Sequence, residues 1–250
     1  PDAGAIAAQV EAARAAVAAR PCGVDTSNAV SEAPPGLEDH VATLQAHPIL
    51  ARSFEEGWDV RMVDLTKLSP VQGYVFSDHP LNPVLAGVAT DPLSLAAVTL
   101  PVPADVDLPF QFVPEKRAWV FTSEDLNLRA TRDFHAKIGP GVGTFGFLVC
   151  MAPSVLRVAA YANRLVLVDG NHRAFGLLRR GIDRVPALFK RHSSWPQLPD
   201  SSAMLSQATL LGDRPPYLSD FLKPEHYTLV SLPVTRRVVM IQATDLSLVA

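Results

Sequence analysis

Five consecutive residues that can bind, bend or titrate, Asp169, Gly170, Asn171, His172 and Arg173, follow the apolar run Leu165 to Val168 in the stretch LVLVDGNHRAFG. Beyond them Ala174, Phe175, Leu177 and Leu178 recur at a helical period, and Gly181 stands where such a helix would stop. A buried strand, a tight turn and a helix beginning at or beside Asn171 account for that order. The first turn of a helix carries backbone N–H groups without intrahelical partners, and the macrodipole adds positive charge there, so this end favours an anion. The turn is a candidate phosphate seat built from Gly170, Asn171, His172 and Arg173. Gly170 would let a ligand approach the backbone, Arg173 offers a two-pronged donor and His172 a second one. Asp169 could accept a ligand hydroxyl, orient His172 or help to hold a metal. Purely structural uses compete with these. Asp169 or Asn171 can cap the helix, Gly170 can serve the turn alone, His172 can be a satisfied core residue and Arg173 a surface pairing group. Five such residues together are more than a cap requires.

The longer stretch LVLVDGNHRAFGLLRRGIDRVPALF resembles the central motif of the ParB/sulfiredoxin superfamily, in which a strand ends in DGxHR and a helix and a Val-Pro strand follow. A weaker similarity extends over Val60 to Arg191, where VRMVDLTKLSPVQ resembles the entry strand and the loop after it. The resemblance implies a small α/β fold whose turn binds the phosphates of ATP or another nucleotide, with Mg²⁺ arriving on the nucleotide rather than in a dedicated cage. Members of the superfamily act as sulfinic acid reductases, free-serine kinases, CTP-dependent partition clamps, nucleases or plasmid fertility inhibitors. Sulfiredoxins place a catalytic cysteine where Asn171 stands, and a carboxamide cannot be that nucleophile. Partition proteins continue into a DNA-binding helix pair, whereas HSSWPQLPDSSAM here leads to one helix, a Pro-Pro turn and strand-like sequence. The serine-kinase branch uses a carboxylate base near the entry strand; Gln72 occupies the nearest region, with Asp64, Asp78 and His79 flanking it. The resemblance thus gives Asp169, His172 and Arg173 as the catalytic set, with Gln72, Asp78, His79 and Arg129 as accessory residues and the base open among Gln72, Asp64, Asp78 and His79.

Positioning such a turn requires a packed domain. With 250 residues and 48% hydrophobic content the chain can bury a proper core. The net charge of −3 provides no global basic field to draw it to nucleic acid, and no apolar stretch reaches the length of a membrane span. Cys22 and Cys150 have neither disulfide-scaffold density nor zinc-site spacing and are expected as free thiols. The N-terminus lacks the apolar block of a signal peptide, which points to the cytoplasm; because the first residue is Pro, a removed export signal stays open.

The Ala-rich segment from Ala3 to Ala19 predicts an amphipathic helix, residues 21–36 a linker, and Leu37 to Ala46 a short helix. Val60 and Met62 alternate with polar residues as in a half-buried strand. Residues 77–114, rich in Pro, read as loop with short strands around Ala96 to Val102. Further strands are expected over Ala118 to Thr122 and around Leu126 to Ala130, a hairpin turning at Ala162 and Asn163, and a strand in RVPALFK. A helix near Ala203 to Leu211 and strands within YTLVSLPVTRRVVMIQA complete the pattern.

Gly141, Gly143 and Gly146 have GxGxxG spacing, but RDFHAKI before them reads as a helix end and Pro153 cuts the run after them. That segment is expected as a flexible loop beside the site rather than a dinucleotide motif. Lys116, Arg117, Arg129 and Arg132 could rim a phosphate site, although solvated loop charges explain them equally. His79, His135 and His172 have no metal-ligand spacing, and no dedicated metal is expected.

The fold expected is α/β (α+β), a ParB/sulfiredoxin-like small mixed sheet with flanking helices. Residues 1–45 form a helical extension and linker, 46–191 the domain, and 192–250 a C-terminal extension adding strands to it. The leading functional expectation is a nucleotide-dependent phosphotransferase or ATPase acting on a small-molecule or protein acceptor. A nucleotide- or partner-binding switch without chemistry is the alternative, and a ParB-like nuclease a further one, against which the acidic balance counts.

Overall fold

The computed structural model describes residues 3–79, 81–103, 110–123, 128–151, 154–195, 204–231 and 237–242. The chain is of mixed α and β structure and forms two compact units. The first comprises Pro1–Val102 and Ser154–Ser231, the second Pro103–Pro153 and Leu232–Ala250. These boundaries differ from the division expected at residues 45 and 191.

The first unit is built on a six-stranded sheet. Its strands are β1 (Val30–Glu32), β2 (Asp59–Asp64), β3 (Ser69–Pro70), β8 (Arg157–Tyr161), β9 (Arg164–Asp169) and β10 (Arg184–Arg191), in spatial order β1-β2-β10-β8-β9-β3. β8 runs parallel to β10 and β3 parallel to β9, while the other pairs are antiparallel. The uninterrupted apolar run of β9 follows from burial on both faces. Leu165 and Leu167 enter the main core with Val63, Val158, Val185, Ala174 and Leu177, whereas Val166 packs on the opposite side with Val71 and Leu210.

Ala162 and Asn163 both have positive φ, 47° and 57°, so the hairpin from β8 to β9 turns as expected, through the backbone geometry that matches strand twist. Helix α6 (Asn171–Leu178) follows β9 at once and lies against the main core through Ala174, Phe175, Leu177 and Leu178. Gly181, at φ 76°, closes the helix end, its N–H donating to the Leu178 carbonyl at 3.0 Å.

The N-terminal helix α1 (Ala3–Ala18) and helix α2 (Glu38–Ala46) match expectation. The intervening linker is more ordered than its composition indicated: Ala29 and Leu37 are buried and β1 pairs with β2. Helix α3 (Pro48–Glu55) leads into β2, and α4 (Asn82–Ala86) precedes α5 (Pro92–Thr99). The strands expected from Ala96 to Val102 are a misreading corrected by α5. Asp91 caps it by accepting from the Ser94 N–H at 2.9 Å and Pro92 opens it, so start chemistry outweighs the β propensity of VTLPV. Helix α7 (Gln207–Leu211) is shorter than expected. No strand forms at Tyr227 to Val230. No helix among the described residues is long and apolar enough to cross a membrane.

In the second unit, β4 (Phe110–Val113), β5 (Ala118–Ser123) and β11 (Arg237–Gln242) form one sheet in the order β11-β5-β4, and β6 (Leu128–Gly139) pairs with β7 (Val142–Met151) in a long hairpin. RDFHAKI is therefore strand rather than helix end, because its partner is the apolar run on the far side of the turn. Gly141, at φ 70°, lies in that turn, and Gly143 and Gly146 lie on β7. The glycine triplet thus belongs to a hairpin and not to a loose loop.

Candidate functional site

Asp169 ends β9, Gly170 sits between strand and helix, and Asn171, His172 and Arg173 form the first turn of α6. Gly170 is the N-cap residue, at φ 84°, and no side chain caps the helix. A Cβ at Gly170 would lie 2.9 Å from the Leu156 Cα and 3.3 Å from the Val155 oxygen, so the chain's own backbone fills the space beside it. Gly170 is needed for its positive φ and for this close packing against the start of β8, not for the approach of a ligand on that side.

Asp169 Oδ1 accepts hydrogen bonds from the Ser154 hydroxyl at 2.7 Å and from the Gly170 N–H at 2.8 Å. Asn171 is 2% exposed. Its Nδ2 donates to Gln72 Oε1 at 3.2 Å, while its Oδ1 is buried with no hydrogen-bond partner. Rotating both carboxamides preserves that bond and exchanges the open acceptor for an open donor. Arg173 is 6% exposed, and its Nη1 donates to the Ser154 carbonyl. Burial lowers its guanidinium to about 10, with the Asp169 carboxylate acting in the other direction, so it stays charged at neutral pH.

The loop after β3 crosses this turn and is pinned to it twice. Gln72 holds Asn171, and the Phe76 N–H donates to His172 Nδ1 at 3.2 Å. Leu81 N–H donates to His79 Nδ1, also at 3.2 Å. Because both Nδ1 atoms accept, each neutral ring carries its proton on Nε2. The two imidazoles stack with centroids 4.8 Å apart and planes 19° apart, and Phe76 stacks on His172 at 4.8 Å. Burial pushes His172 down to about 4, and the charge of His79 adds to the effect. His79 is also lowered, by burial first and then by Arg173, with Asp78 opposing. Both rings are thus neutral donors at physiological pH.

The structure brings Asp169, Gly170, Asn171, His172, Arg173, Gln72 and His79 together. Asp78 stays exposed beside them. Asp64 is engaged elsewhere, accepting from the Thr66 N–H at 2.9 Å and the Thr66 hydroxyl at 2.6 Å. Arg129, together with Lys116, Arg117, Arg132 and His135, belongs to the second unit; the side chains of Arg129 and Arg132 lie outside the described residues. So does that of Cys150, whereas Cys22 is a free, exposed thiol. Among the described residues no group of three or more His, Cys, Asp or Glu is placed to hold a metal.

Sequence reasoning missed Ser154, Tyr74 and Phe76. The aromatic pair was marked by its place in GYVFSDH, two large rings in an otherwise polar loop just before His79. Ser154 carried no signal, since its role depends on β8 and β9 lying side by side. An open groove of about 700 Å³, lined by Ala12, Ala13, Ser77, Tyr227, Leu229 and Val230 among others, includes none of residues 169–173. Its lining also carries Gln9, Thr228 and Ser231 but no arginine or lysine, so the charge of Arg173 and the helix end favour the turn as the site of an anion. No protein-family model matches the chain, and no match is found among curated proteins or solved structures.

Proposed function

We propose that this chain is a ParB/sulfiredoxin-like nucleotide-binding protein and that the turn at residues 169–173 is the phosphate site of a phosphotransferase. The observation that carries the reading is the start of α6, where the backbone donors of the first turn stand beside Asn171, 2% exposed, whose carboxamide keeps one buried group without a partner, an open N–H donor when it and Gln72 are both rotated. An unmet buried polar atom at an anion-favouring helix end asks for a ligand group or a bound water.

The residues present suit an Mg²⁺–nucleotide. Backbone N–H groups of the first turn of α6 and the Nε2–H groups of neutral His172 and His79 supply donors, and the guanidinium of Arg173 supplies charge. A nucleoside triphosphate, when bound, supplies the phosphoryl group. The chain's own part is positioning and charge stabilisation, the usual requirements of phosphoryl transfer. Asp169, whose Oδ1 accepts from the Ser154 hydroxyl and the Gly170 N–H, is the carboxylate of the turn, and the reading gives it the role of base towards an acceptor hydroxyl.

Formation of ADP from Mg²⁺–ATP, followed with and without small hydroxyl acceptors, tests the catalytic part. Asp169→Asn is expected to slow turnover about 100-fold with nucleotide affinity retained; equal rates in both proteins would remove Asp169 from the chemistry. One observation favours a binding switch as the second reading: Arg173 Nη1 is spent on the Ser154 carbonyl, so part of the guanidinium is committed to the fold. Binding of ATP or CTP without turnover would select the switch.

A further inference from the structure

The loop over the turn carries more aromatic surface than packing of the turn demands. It is fixed at Gln72 and at Phe76 by the hydrogen bonds to Asn171 and His172, and Tyr74 stands between those two anchors. Tyr74 remains 37% exposed. Its ring lies 5.6 Å from Phe76, edge to face, and 6.0 Å from His172, the second residue of α6. Phe76, His172 and His79 form a cluster of nearly parallel rings beside it, with centroids 4.8, 4.8 and 6.4 Å apart and interplanar angles of 25°, 19° and 26°. The exposed ring of Tyr74 thus adjoins the second residue of the helix whose first turn supplies donors. The chemical class that satisfies both is a planar heterocycle carrying an anion.

We propose that Tyr74 is the stacking platform for the base of a nucleoside phosphate, so that the site selects nucleotides over inorganic polyphosphates. This rests on the phosphate-site reading above. His172 serves both halves of the ligand in this proposal, its Nε2–H as a donor and its ring as the neighbour of Phe76 and Tyr74. An aromatic face accepts any base, so Tyr74 contributes affinity for the nucleoside with little preference between purine and pyrimidine. No positive charge is needed on the rings, in keeping with the burial that holds His172 down to about 4.

Isothermal titration of the full chain with Mg²⁺–ATP, Mg²⁺–CTP and Mg²⁺–tripolyphosphate tests this, comparing wild type, Tyr74→Ala and Tyr74→Phe. Tyr74→Ala is expected to bind both nucleotides roughly 5- to 100-fold more weakly and tripolyphosphate as wild type does, while Tyr74→Phe binds all three normally. Nucleotide affinity unchanged in Tyr74→Ala overturns the inference and leaves the phosphate site standing. Equal weakening towards tripolyphosphate also overturns it, since Tyr74 would then act through the turn itself. Wild type that binds none of the three overturns the phosphate-site reading and this inference together.

Discussion

At the scale of single residues, His172 is the group whose chemistry the fold changes most. Its folded value of about 4 lies below the ordinary imidazole range, because burial first, and then the charge of the stacked His79, disfavour the charged form. The unfolded chain binds the proton more readily, so native stability is full above about pH 6.5 and is lost progressively as pH falls towards 4. A shift of this size corresponds to about 3 kcal/mol. Denaturant titrations across pH 7 to 4 are expected to show that decline in wild type and a shallower one in His172→Phe; equal slopes would contradict it. His172, Arg173, Asn171 and Asp169 were legible as a group from residue type and order alone. Their individual roles were not. That Asn171 turns to Gln72 and Arg173 to Ser154 depends on segments brought in by sheet pairing, which no local pattern records.

At the scale of elements, the junction of β9 and α6 depends on Gly170. Positive φ strains any L residue there, and a new Cβ would meet the Leu156 backbone, which cannot swing aside as a side chain could. Gly170→Ala is expected to lose about 3 kcal/mol or more, combining strain with a clash, read as a lower midpoint in urea. Unchanged stability would mean that the turn can relax away from β8. This junction was readable because its signals are local: strand run, glycine, helix period and a closing Gly181. The elements that were misread depended on competition between local signals or on distant partners. In α5 the Asp91–Pro92 start overrode strand-forming residues; in β6 the decisive fact was the register with β7, Arg129 opposite Cys150 through Gly139 opposite Val142.

At the scale of the whole molecule, the turn at residues 169–173 belongs to a unit assembled from two separate lengths of chain, and no composition shift marks residues 102 and 154 as its seams. Within that unit the end of α1 is tied to the C-terminal segment by a nearly buried cluster. Arg20 pairs with Asp220 at 2.6 Å and donates to the Pro215 carbonyl at 2.8 Å, and Asp220 also meets His226 Nδ1 at 2.9 Å. Removing one partner of such a pair leaves an uncompensated charge, so Arg20→Ala is expected to cost about 3 kcal/mol and to lower Tm by roughly 10 °C. A shift under 2 °C, read against the roughly 2–4 °C per kcal/mol of a domain this size, would show that the cluster adds little. Residues 200 positions apart in sequence make this contact, which no local pattern records. The central claim, that the end of α6 takes the phosphates of a nucleotide, is tested most directly by titrating Mg²⁺–ATP and Mg²⁺–CTP into wild type and His172→Ala. Both proteins are first shown by circular dichroism to be folded. Saturable binding by wild type and at least about fivefold weaker binding by the variant, a loss of roughly 1 kcal/mol, is the predicted result; equal affinity in the two, or no binding by wild type, would contradict it.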